Sequence, residues 1–434
     1  MSHGSVFHEE YRSEPYWWEE ARPVERDVRP PQSVDVAVIG GGYAGLSAAL
    51  HLARGGARVA VLEARQFGWG ASGRNAGMVS GGNYLGKGLK GLSDGEVTAL
   101  LAEASAALDV LEETVAKEQI ACHYRRAGRV VAAAAPAHYD AMAKGLDRLN
   151  SHAKAEASML SADAQRSEIG TDSYFGGMLV NRTGTIHPSL YLHGLLRAAE
   201  MAGASLHSGA EVISLAGKRG HFTLETARET VTAREIVVAT NGETGKLTPQ
   251  FRRRVIPVAS YLVATEPLPH DLARTLLPTG RAFNDTRRVL RFGRMSPDGT
   301  RLLFGGRARF TQQPPEAAAP TLHRYMTEIF PQLKGRRITH AWCGNVAFTF
   351  DFLPHAGLFD GLHYCLGCNG SGVSMMTMLG RRIAGRIMGA EHAGAFERER
   401  FPTRPLYAGD PRYLLPVVGG AYRAGDWIDR MRRK

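Results

Sequence analysis

The sequence predicts an α/β fold in which a Rossmann-type nucleotide-binding domain is interleaved with a second lobe of the α+β type, built on a mixed sheet. Two observations carry this prediction. A strand, a glycine-rich turn, a helix and a second strand follow one another within residues 34–63, as in a βαβ nucleotide-binding unit. Further strand-like runs occur far downstream, at 236–242, 255–265 and 302–306, so each lobe is assembled from separated segments.

The first turn has the spacing of a dinucleotide-binding motif, with Gly40, Gly42 and Gly45. Gly40 permits the tight turn out of the strand, Gly42 lets the backbone approach a pyrophosphate, and Gly45 lets the helix pack closely on the sheet. Tyr43 and Ala44 open the helix, whose N-terminal N–H groups favour phosphate. The turn therefore predicts a bound dinucleotide.

Glu63 ends the second strand, where a carboxylate binds ribose hydroxyls and repels a 2′-phosphate. The ligand is therefore expected to be FAD or NAD rather than NADP. A second glycine-rich stretch, 70–77, follows where an NAD domain would continue with strands and helices. Its small residues suit contact with a flat ring system, which favours FAD. Cofactor contacts are expected from Glu63, Ala64, Arg65, Gly70, Ala71, Ser72, Arg74, Asn75, Ala76, Gly77 and Met78.

From this stretch onward the chain resembles the D-amino acid oxidase and glycine oxidase (DAO) superfamily of FAD-dependent amine oxidoreductases, with a nucleotide-binding domain of the glutathione-reductase-like class. The SGRN loop at 72–75 and the aromatic lead segment 16–18 resemble the gamma-glutamylputrescine oxidase-like branch. The resemblance continues through the motifs at 186–199, 203–212, 236–242, 303–307, 342–354 and 367–373. It implies further FAD contacts from Val212, Thr240, Asn241, Gly242, Gly344, Asn369, Gly370, Ser371, Gly372 and Val373.

The resemblance also implies a reaction. Hydride leaves the carbon that bears a primary or secondary amine and passes to flavin N5, the imine is hydrolysed to a carbonyl, and O2 is reduced to H2O2. N-acylated polyamines and N-substituted amino acids are the expected substrates. A dehydrogenase that passes electrons to a quinone or carrier protein is an alternative, and a tRNA-modifying flavoprotein is another. Because the flavin is the electron sink, we assign no catalytic residue and expect no metal.

Three positions depart from sarcosine-oxidase-like members of the superfamily. Ser374 stands where a lysine helps to bind the substrate carboxylate, and Leu303 stands where a lysine speeds the reaction with dioxygen. Gly344 stands where a cysteine tethers the flavin, one place from Cys343. These departures predict non-covalent FAD and a substrate unlike sarcosine. The absence of the lysine at Leu303 also weakens the case for a true oxidase.

Candidate substrate contacts are Arg307, His355 and Ser374. Arg307 and Arg309 follow a strand-like run and either bind a carboxylate or phosphonate through a bidentate fork or lie on the surface. His355 comes directly after Pro354, close to where the resemblance places the flavin ring.

Composition limits the partners and the location. The chain has 434 residues, 44% of them hydrophobic, and only 4 cysteines. It contains no apolar run of 18 residues and no secretory h-region, so we expect a cytoplasmic enzyme with a small-molecule amine substrate and no membrane partner. The net charge of +11 is attributed to an excess of arginine, because no basic run is interleaved with aromatic residues as in a nucleic-acid platform; an acidic substrate stays open. The oligomeric state is not predicted.

The motif positions divide the chain into seven segments. The segments, in chain order, are an N-terminal arm (1–33), the FAD-binding domain (34–90), the substrate domain (91–154), the FAD-binding domain (155–242), the substrate domain (243–341), the FAD-binding domain (342–390) and a C-terminal tail (391–434). Apolar spacing predicts a helix over 93–117 in the substrate domain.

Overall fold

A computed structural model of the chain describes residues 5–81, 85–86, 88–308, 312–389, 394–398 and 400–431. Within these residues the helices are, in chain order, α1 (Tyr43–Arg54), α2 (Asp94–Lys117), α3 (Pro136–Ala153), α4 (Pro188–Met201), α5 (Pro249–Arg252), α6 (His270–Leu276), α7 (Pro315–Ile329), α8 (Gly372–Ile387) and α9 (Leu415–Met431).

The strands of the described residues are β1 (Phe7–Arg12), β2 (Ser33–Ile39), β3 (Val59–Leu62), β4 (Met78–Ser80), β5 (Arg129–Ala132), β6 (Ala157–Leu160), β7 (Gly177–Val180), β8 (Thr183–Thr185), β9 (Ser205–His207), β10 (Val212–Lys218), β11 (His221–Thr226), β12 (Thr230–Val238), β13 (Ile256–Thr265), β14 (Ala282–Asp285), β15 (Arg291–Met295), β16 (Leu302–Gly306), β17 (Ile338–Phe348), β18 (His355–Phe359) and β19 (Leu362–Leu366).

The first domain is built on a sheet whose centre is parallel, in the order β19-β12-β2-β3-β9. Val38 of β2 lies level with Val61 of β3 and with Val237 of β12. All three side chains are fully buried, as expected for parallel strands that are covered on both faces. Helices α1, α4 and α8 pack in this domain, and β10, β11 and β18 extend its sheet. The Rossmann-type arrangement predicted from the sequence is present.

The second domain is built on a nine-stranded mixed sheet in the order β1-β17-β13-β16-β15-β14-β5-β7-β6. The pairs β1–β17 and β14–β5 are parallel, and the neighbouring β13–β17 and β15–β16 pairs are antiparallel. Helix α7 packs on β13, β16 and β17 and closes an apolar core with them. This sheet is the mixed sheet expected for the substrate lobe.

Two of the predicted segment boundaries are wrong. The segment 155–242 is predicted to lie in the FAD-binding domain, but β6 and β7 pair with one another and with β5 in the large sheet. The boundary at 342 cuts through β17, which pairs along its length with β13. The sheet to which a strand belongs is decided by the strand with which it pairs, and that partner is distant in the sequence.

Helix α2 begins and ends within one residue of the prediction, but it packs on the FAD-binding domain. Ser93 caps it, in a capping box with Glu96. Its buried leucines, Leu100 and Leu108 among them, join the apolar core that contains α1 and α8. Hydrophobic spacing identifies the buried face of a helix and does not identify what covers that face.

The two ends of the described chain lie against the body. Strand β1 pairs with β17, and Trp17 and Trp18 are buried against the large sheet, so the arm packs on the body of the protein. Helix α9 places Leu415 and Tyr422 in an apolar cluster beside β13. Among the described residues, no helix is both long and apolar enough to cross a bilayer.

Candidate active site

Two cavities meet between the domains and form one extended cleft. The first, of about 510 Å³, lies over the carboxyl ends of β2, β3 and β12. The second, of about 240 Å³, lies between the 71–78 loop, the start of α8 and the large sheet. Ala71, Ser72, Asn241 and Asn345 line both. We call the first the nucleotide cavity and the second the ring cavity, since an elongated dinucleotide would pass from one into the other.

The glycines of the first turn allow the close approach that the sequence predicts. Gly40 has a φ of +105°, and a Cβ there would lie 2.9 Å from the carbonyl oxygen of Ala239. A Cβ on Gly45 would lie 1.9 Å from the carbonyl oxygen of Gly40. Any side chain at Gly45 would therefore push α1 away from β2 and open the turn. No side chain caps α1 at Gly42, so its positive end faces the nucleotide cavity.

Glu63 lies at the end of β3 in the wall of the nucleotide cavity. Its carboxylate accepts hydrogen bonds from the backbone N–H of Gly41 (2.8 Å) and of Arg65 (3.0 Å). Burial raises the pKa of Glu63, although these donors oppose the shift. A carboxylate has about four lone-pair positions, so Glu63 can hold the turn in shape and still accept from ribose hydroxyls.

Hydrogen bonds of three polar side chains fix the loop between the two cavities. The Ser72 Oγ accepts from the Tyr43 backbone N–H (3.2 Å), and the Tyr43 hydroxyl donates to the Ser72 carbonyl oxygen (2.7 Å). The Asn75 side chain donates to the Tyr43 hydroxyl (3.1 Å) and accepts from the Gly77 N–H (2.8 Å). The polar atoms of Ser72 and Asn75 thus set the shape of the loop from within.

Two indoles of the aromatic core hold the same loop from outside. The Trp17 Nε1–H donates to the Asn75 carbonyl oxygen (2.8 Å), and the Trp342 Nε1–H donates to the Arg74 carbonyl oxygen (2.7 Å). The Arg74 guanidinium lies over the rings of Trp18 and Trp69, 4.6 and 4.9 Å from their centroids. The aromatic lead segment therefore supports the cofactor loop, residues 71–78.

The ring cavity is lined by three arginines: Arg74, Arg129 and Arg307. Among the described residues that line it, there is no Asp, Glu, Lys or His. Arg307 is half-buried with its guanidinium over the ring of Phe348, and no described carboxylate lies within ion-pair distance of it. Burial lowers the pKa of Arg307. A cation held in this way gains from a bound anion, which would supply the missing counter-charge.

Most of the predicted site residues line the cleft. Those in the nucleotide cavity are Gly40, Gly42, Glu63, Ala64, Gly70, Ala71, Ser72, Val212, Thr240, Asn241 and Gly242. Those in the ring cavity are Tyr43, Ala71, Ser72, Arg74, Asn75, Ala76, Met78, Asn241, Arg307, Gly344, Asn369, Gly370, Gly372 and Val373. Ala44, Gly45, Arg65, Gly77 and Ser371 lie beside the cleft without being in its described lining, and Arg309 lies outside the described residues.

Two predicted substrate contacts are wrong. His355 is fully buried away from both cavities, where its Nε2 contacts the Asp351 carboxylate at 2.9 Å and its ring stacks on Phe401. Ser374 is buried inside α8 and its hydroxyl donates to the Ser80 carbonyl oxygen (2.8 Å). Both follow cofactor-contacting residues closely in sequence, but their side chains point into the core.

The register of β17 bears on covalent attachment of the flavin. Gly344 lines the ring cavity, and a Cβ there would lie 3.4 Å from the Arg74 side chain. Cys343, one residue earlier, packs instead at the edge of the core beneath the sheet. Because neighbouring residues of a strand point to opposite faces, the thiol is turned away from the ring cavity, which favours non-covalent binding.

Sequence reasoning missed several residues of the ring cavity, among them Arg129, Asn284 and Phe292. The sequence signal for Arg129 is a charged residue at the start of an apolar strand. The structure buries this residue, and a buried charge needs a partner or a ligand. Asn284 and Phe292 had no such signal in the sequence. They lie on β14 and β15, more than 150 residues along the chain from Arg129.

The residues present fit FAD, and comparisons with known proteins agree. The family described as FAD dependent oxidoreductase (DAO) matches residues 35–386. Gamma-glutamylputrescine oxidoreductase of Escherichia coli strain K12 is 32% identical over 400 residues, which cover 89% of this chain and 91% of that protein. The probable oxidoreductase OrdL of Rhizobium meliloti strain 1021 is 33% identical over 387 residues, 86% of this chain and 88% of that one.

Solved structures share the fold at lower identity. L-proline dehydrogenase from P. horikoshii superposes with a TM-score of 0.71 at 17% identity, over 84% of this chain and 95% of that chain. Glycine oxidase from Geobacillus kaustophilus superposes with a TM-score of 0.70 at 21% identity, over 86% and 99%. With the glycine turn, Glu63 and the two-part cleft in place, the chain belongs to the DAO family of FAD-dependent oxidoreductases, and its cofactor is FAD.

Proposed function

We propose that this protein oxidises a C–N bond of a primary or secondary amine that also carries a carboxylate. N-acylated polyamines and N-substituted amino acids both include such molecules. The observation that carries the proposal is the charge of the ring cavity, where Arg74, Arg129 and Arg307 line the wall and the described lining contains no acid. A substrate that was cationic throughout would be repelled from this cavity.

The two substrate-domain arginines lie far apart on the sheet. Arg129 starts β5 and Arg307 follows β16, and two strands, β14 and β15, lie between them. Three strand spacings amount to roughly 14 Å across the sheet. An extended substrate can therefore place its carboxylate at one arginine while the amine lies elsewhere in the cavity. Gamma-glutamylated amines have this form, and the relative from Escherichia coli is named for one.

FAD, when bound, supplies the acceptor for the hydride that leaves the amine-bearing carbon. The chain contributes position and an apolar wall. Val258, Leu262, Phe292 and Phe348 line the ring cavity opposite the cofactor loop and exclude water from the reacting carbon. Because the described lining offers no Asp, Glu, Lys or His, the amine is expected to enter in its neutral form, and no general base is assigned.

Anaerobic reduction of the bound flavin tests the proposal. The holoenzyme is mixed with gamma-glutamylputrescine, with N-acetylputrescine, which has the same amine but no carboxylate, and with N-methylglycine. Fast bleaching of the flavin band by the carboxylate-bearing polyamine and slow bleaching by the acetylated one is the expected result. Equal bleaching by the two polyamines, or bleaching by none of the three amines, contradicts it.

The electron acceptor is the second part of the proposal, with O2 as the first candidate. Leu303 is buried among aromatic residues of the arm rather than in the cavity, and the described lining has no lysine. This supports the dehydrogenase alternative. Admitting air to the reduced enzyme separates the two: one H2O2 per flavin within seconds indicates an oxidase, whereas slow reoxidation that a quinone analogue accelerates indicates a dehydrogenase.

A further inference from the structure

A third cavity, of about 180 Å³, lies between the large sheet and helices α7 and α9. We call it the rear cavity, because it lies on the opposite face of β15 from the ring cavity. The acids of its described lining, Asp426 and Asp429, pair with Arg288, which is outside that lining. The cations of the lining are more numerous than these acids: Arg287, Arg291, Arg324 and Arg423.

Arg291 is the most deeply buried arginine of the rear cavity. Its side chain is 7% exposed, and its guanidinium lies over the ring of Tyr325, 3.9 Å from the centroid. Nη1 donates to the Glu328 carboxylate (3.0 Å), but the buried Nε–H has no hydrogen-bond partner among the described residues. Burial, followed by the charge of Arg287, lowers the pKa of Arg291. A buried charged donor without a partner is costly unless a ligand supplies the acceptor.

Two arginines of the rear cavity share one carboxylate. Glu328 accepts from Arg291 Nη1 through Oε2 and from Arg324 Nη1 (3.1 Å) through Oε1. A guanidinium carries five N–H donors, and Glu328 bonds one nitrogen of each arginine. Arg324 is 62% exposed, so a ligand can reach it from solvent. The pair therefore has donors left over for a second anionic group.

We propose that the rear cavity binds a small oxyanion, a carboxylate or a phosphate, between Arg291 and Arg324. Guanidinium groups bind both kinds of anion through pairs of parallel N–H donors. The ring of Tyr325 lies beneath both guanidiniums and so restricts their orientation. The bound anion gives the buried Nε–H of Arg291 the acceptor that the described residues do not provide.

The rear cavity is separate from the substrate site. Neighbouring residues of a strand point to opposite faces of a sheet, and on β15 Arg291 lines the rear cavity whereas Phe292 lines the ring cavity. The described linings of the two cavities have no residue in common. An anion in the rear cavity is therefore not the substrate carboxylate, and the inference does not depend on the proposed function.

Isothermal titration calorimetry of the full-length holoenzyme tests the inference. The probes are inorganic phosphate and succinate, with chloride at equal ionic strength as the reference. We expect saturable binding of at least one probe, and the tighter of the two shows whether the site prefers a phosphate or a carboxylate. R291M should weaken this binding by at least about tenfold. R307M, which alters the ring cavity, should leave it unchanged.

The variant E328Q should have the opposite effect. It removes the negative charge that competes with the ligand for Arg291 and Arg324, so the affinity for the anion should rise by about fivefold or more. A variant that only disturbs the fold would not bind more tightly. D172N is the matched control, because Asp172 pairs with the exposed Arg166 elsewhere on the surface, and it should bind the anion as the wild type does.

The remaining outcomes overturn the inference. Wild-type protein that binds neither probe at millimolar concentration contradicts it, and so does binding that R291M and E328Q leave unchanged. Binding that only R307M removes would assign the anion to the ring cavity instead. If R291M does not fold, R324M takes its place and should weaken binding by about threefold or more. Flavin content and amine turnover report the proposed function separately.

Discussion

The guanidinium of Arg294, on β15 of the substrate domain, donates a hydrogen bond of 2.9 Å to the carbonyl oxygen of Gly77 at the end of the cofactor loop. The same Nη1 also donates to the carbonyl oxygens of Ile186 (2.8 Å) and Ala76 (3.4 Å). Arg294 is buried, and burial lowers its pKa to about 9. One buried cation therefore joins the substrate domain to the loop that must receive FAD.

Removing that cation should loosen the loop. In R294M three buried carbonyl oxygens lose a charged donor, so the free energy of unfolding should fall by about 3 kcal/mol and FAD should bind more weakly. Urea unfolding and FAD titration of the apoprotein measure the two effects. R166M, which removes an exposed partner of Asp172, should change stability by less than about 0.5 kcal/mol. Unchanged FAD affinity in R294M would show that the loop holds its shape without this contact.

A methyl group at Gly45 should open the dinucleotide turn. Because its Cβ would lie 1.9 Å from the Gly40 carbonyl oxygen, G45A should lower the free energy of unfolding by about 3 kcal/mol and abolish the yellow colour of the purified protein. Gly145, in α3, is half-buried and has nothing within 4 Å of a Cβ, so G145A should raise stability by up to about 1 kcal/mol. Yellow G45A protein of wild-type stability would contradict the packing described for the turn.

His187 should make the protein sensitive to acid. Its Nδ1 accepts from the Leu190 N–H (3.2 Å) and so caps α4. Burial, followed by the charges of His123 and Arg294, lowers the pKa of His187 to about 3; Glu20, 3.5 Å from Nε2, does not offset them. The unfolded chain takes up this proton near pH 6.5, so the stabilising contribution of neutral His187 is complete above that pH and is lost as the pH falls towards 3.

The variant H187N keeps a capping acceptor and cannot be protonated. Between pH 7 and pH 5 its unfolding free energy should fall by about 2 kcal/mol less than that of the wild type. Chemical denaturation at the two pH values measures the difference. H270N, at an exposed histidine, should follow the wild type. If the unfolding free energy of H187N falls as much as that of the wild type, the acid sensitivity arises from residues other than His187.

The register of β17 predicts that FAD leaves the denatured protein. Acid precipitation should release all of the flavin into the supernatant, and C343S should be as yellow as the wild type, because the Cys343 thiol packs at the edge of the core beneath the sheet. A yellow pellet from the wild type and a colourless one from C343S would instead show a thioether bond to this residue.

The nucleotide half of the site could be predicted from the sequence because its residues are local. Gly40, Gly42 and Gly45 lie in one turn and Glu63 ends the next strand, so a single βαβ unit fixes their relation. The ring cavity could not be predicted in the same way. Arg129 and Asn284 meet there only because β5 pairs with β14, a pairing between segments 150 residues apart.

Errors within the predicted site have a similar origin. Ser374 matches the position of a substrate-binding lysine in sarcosine-oxidase-like members, and His355 follows the segment that the resemblance places near the flavin ring. Position along the chain, however, does not determine which face of a strand or helix carries a side chain. Ser374 is two residues from Gly372, which lines the ring cavity, and points into the core. Arg307, the third candidate, follows the buried strand β16 and lines the ring cavity, and its contact with substrate stays a prediction.

The most direct test of the proposed function is a comparison of two substrates in two proteins. The rate constant of anaerobic flavin reduction is measured at low substrate for gamma-glutamylputrescine and for N-acetylputrescine, in the wild type and in R307M. The account predicts that the wild type prefers the carboxylate-bearing amine, and that R307M reduces this preference by about 30-fold or more, the value of a charge-assisted hydrogen bond worth about 2 kcal/mol, while the acetylated amine reacts at an unchanged rate. A preference that is absent in the wild type would contradict the assignment of the ring cavity to an anionic substrate, and one that survives in R307M would contradict Arg307 as the residue that binds the carboxylate.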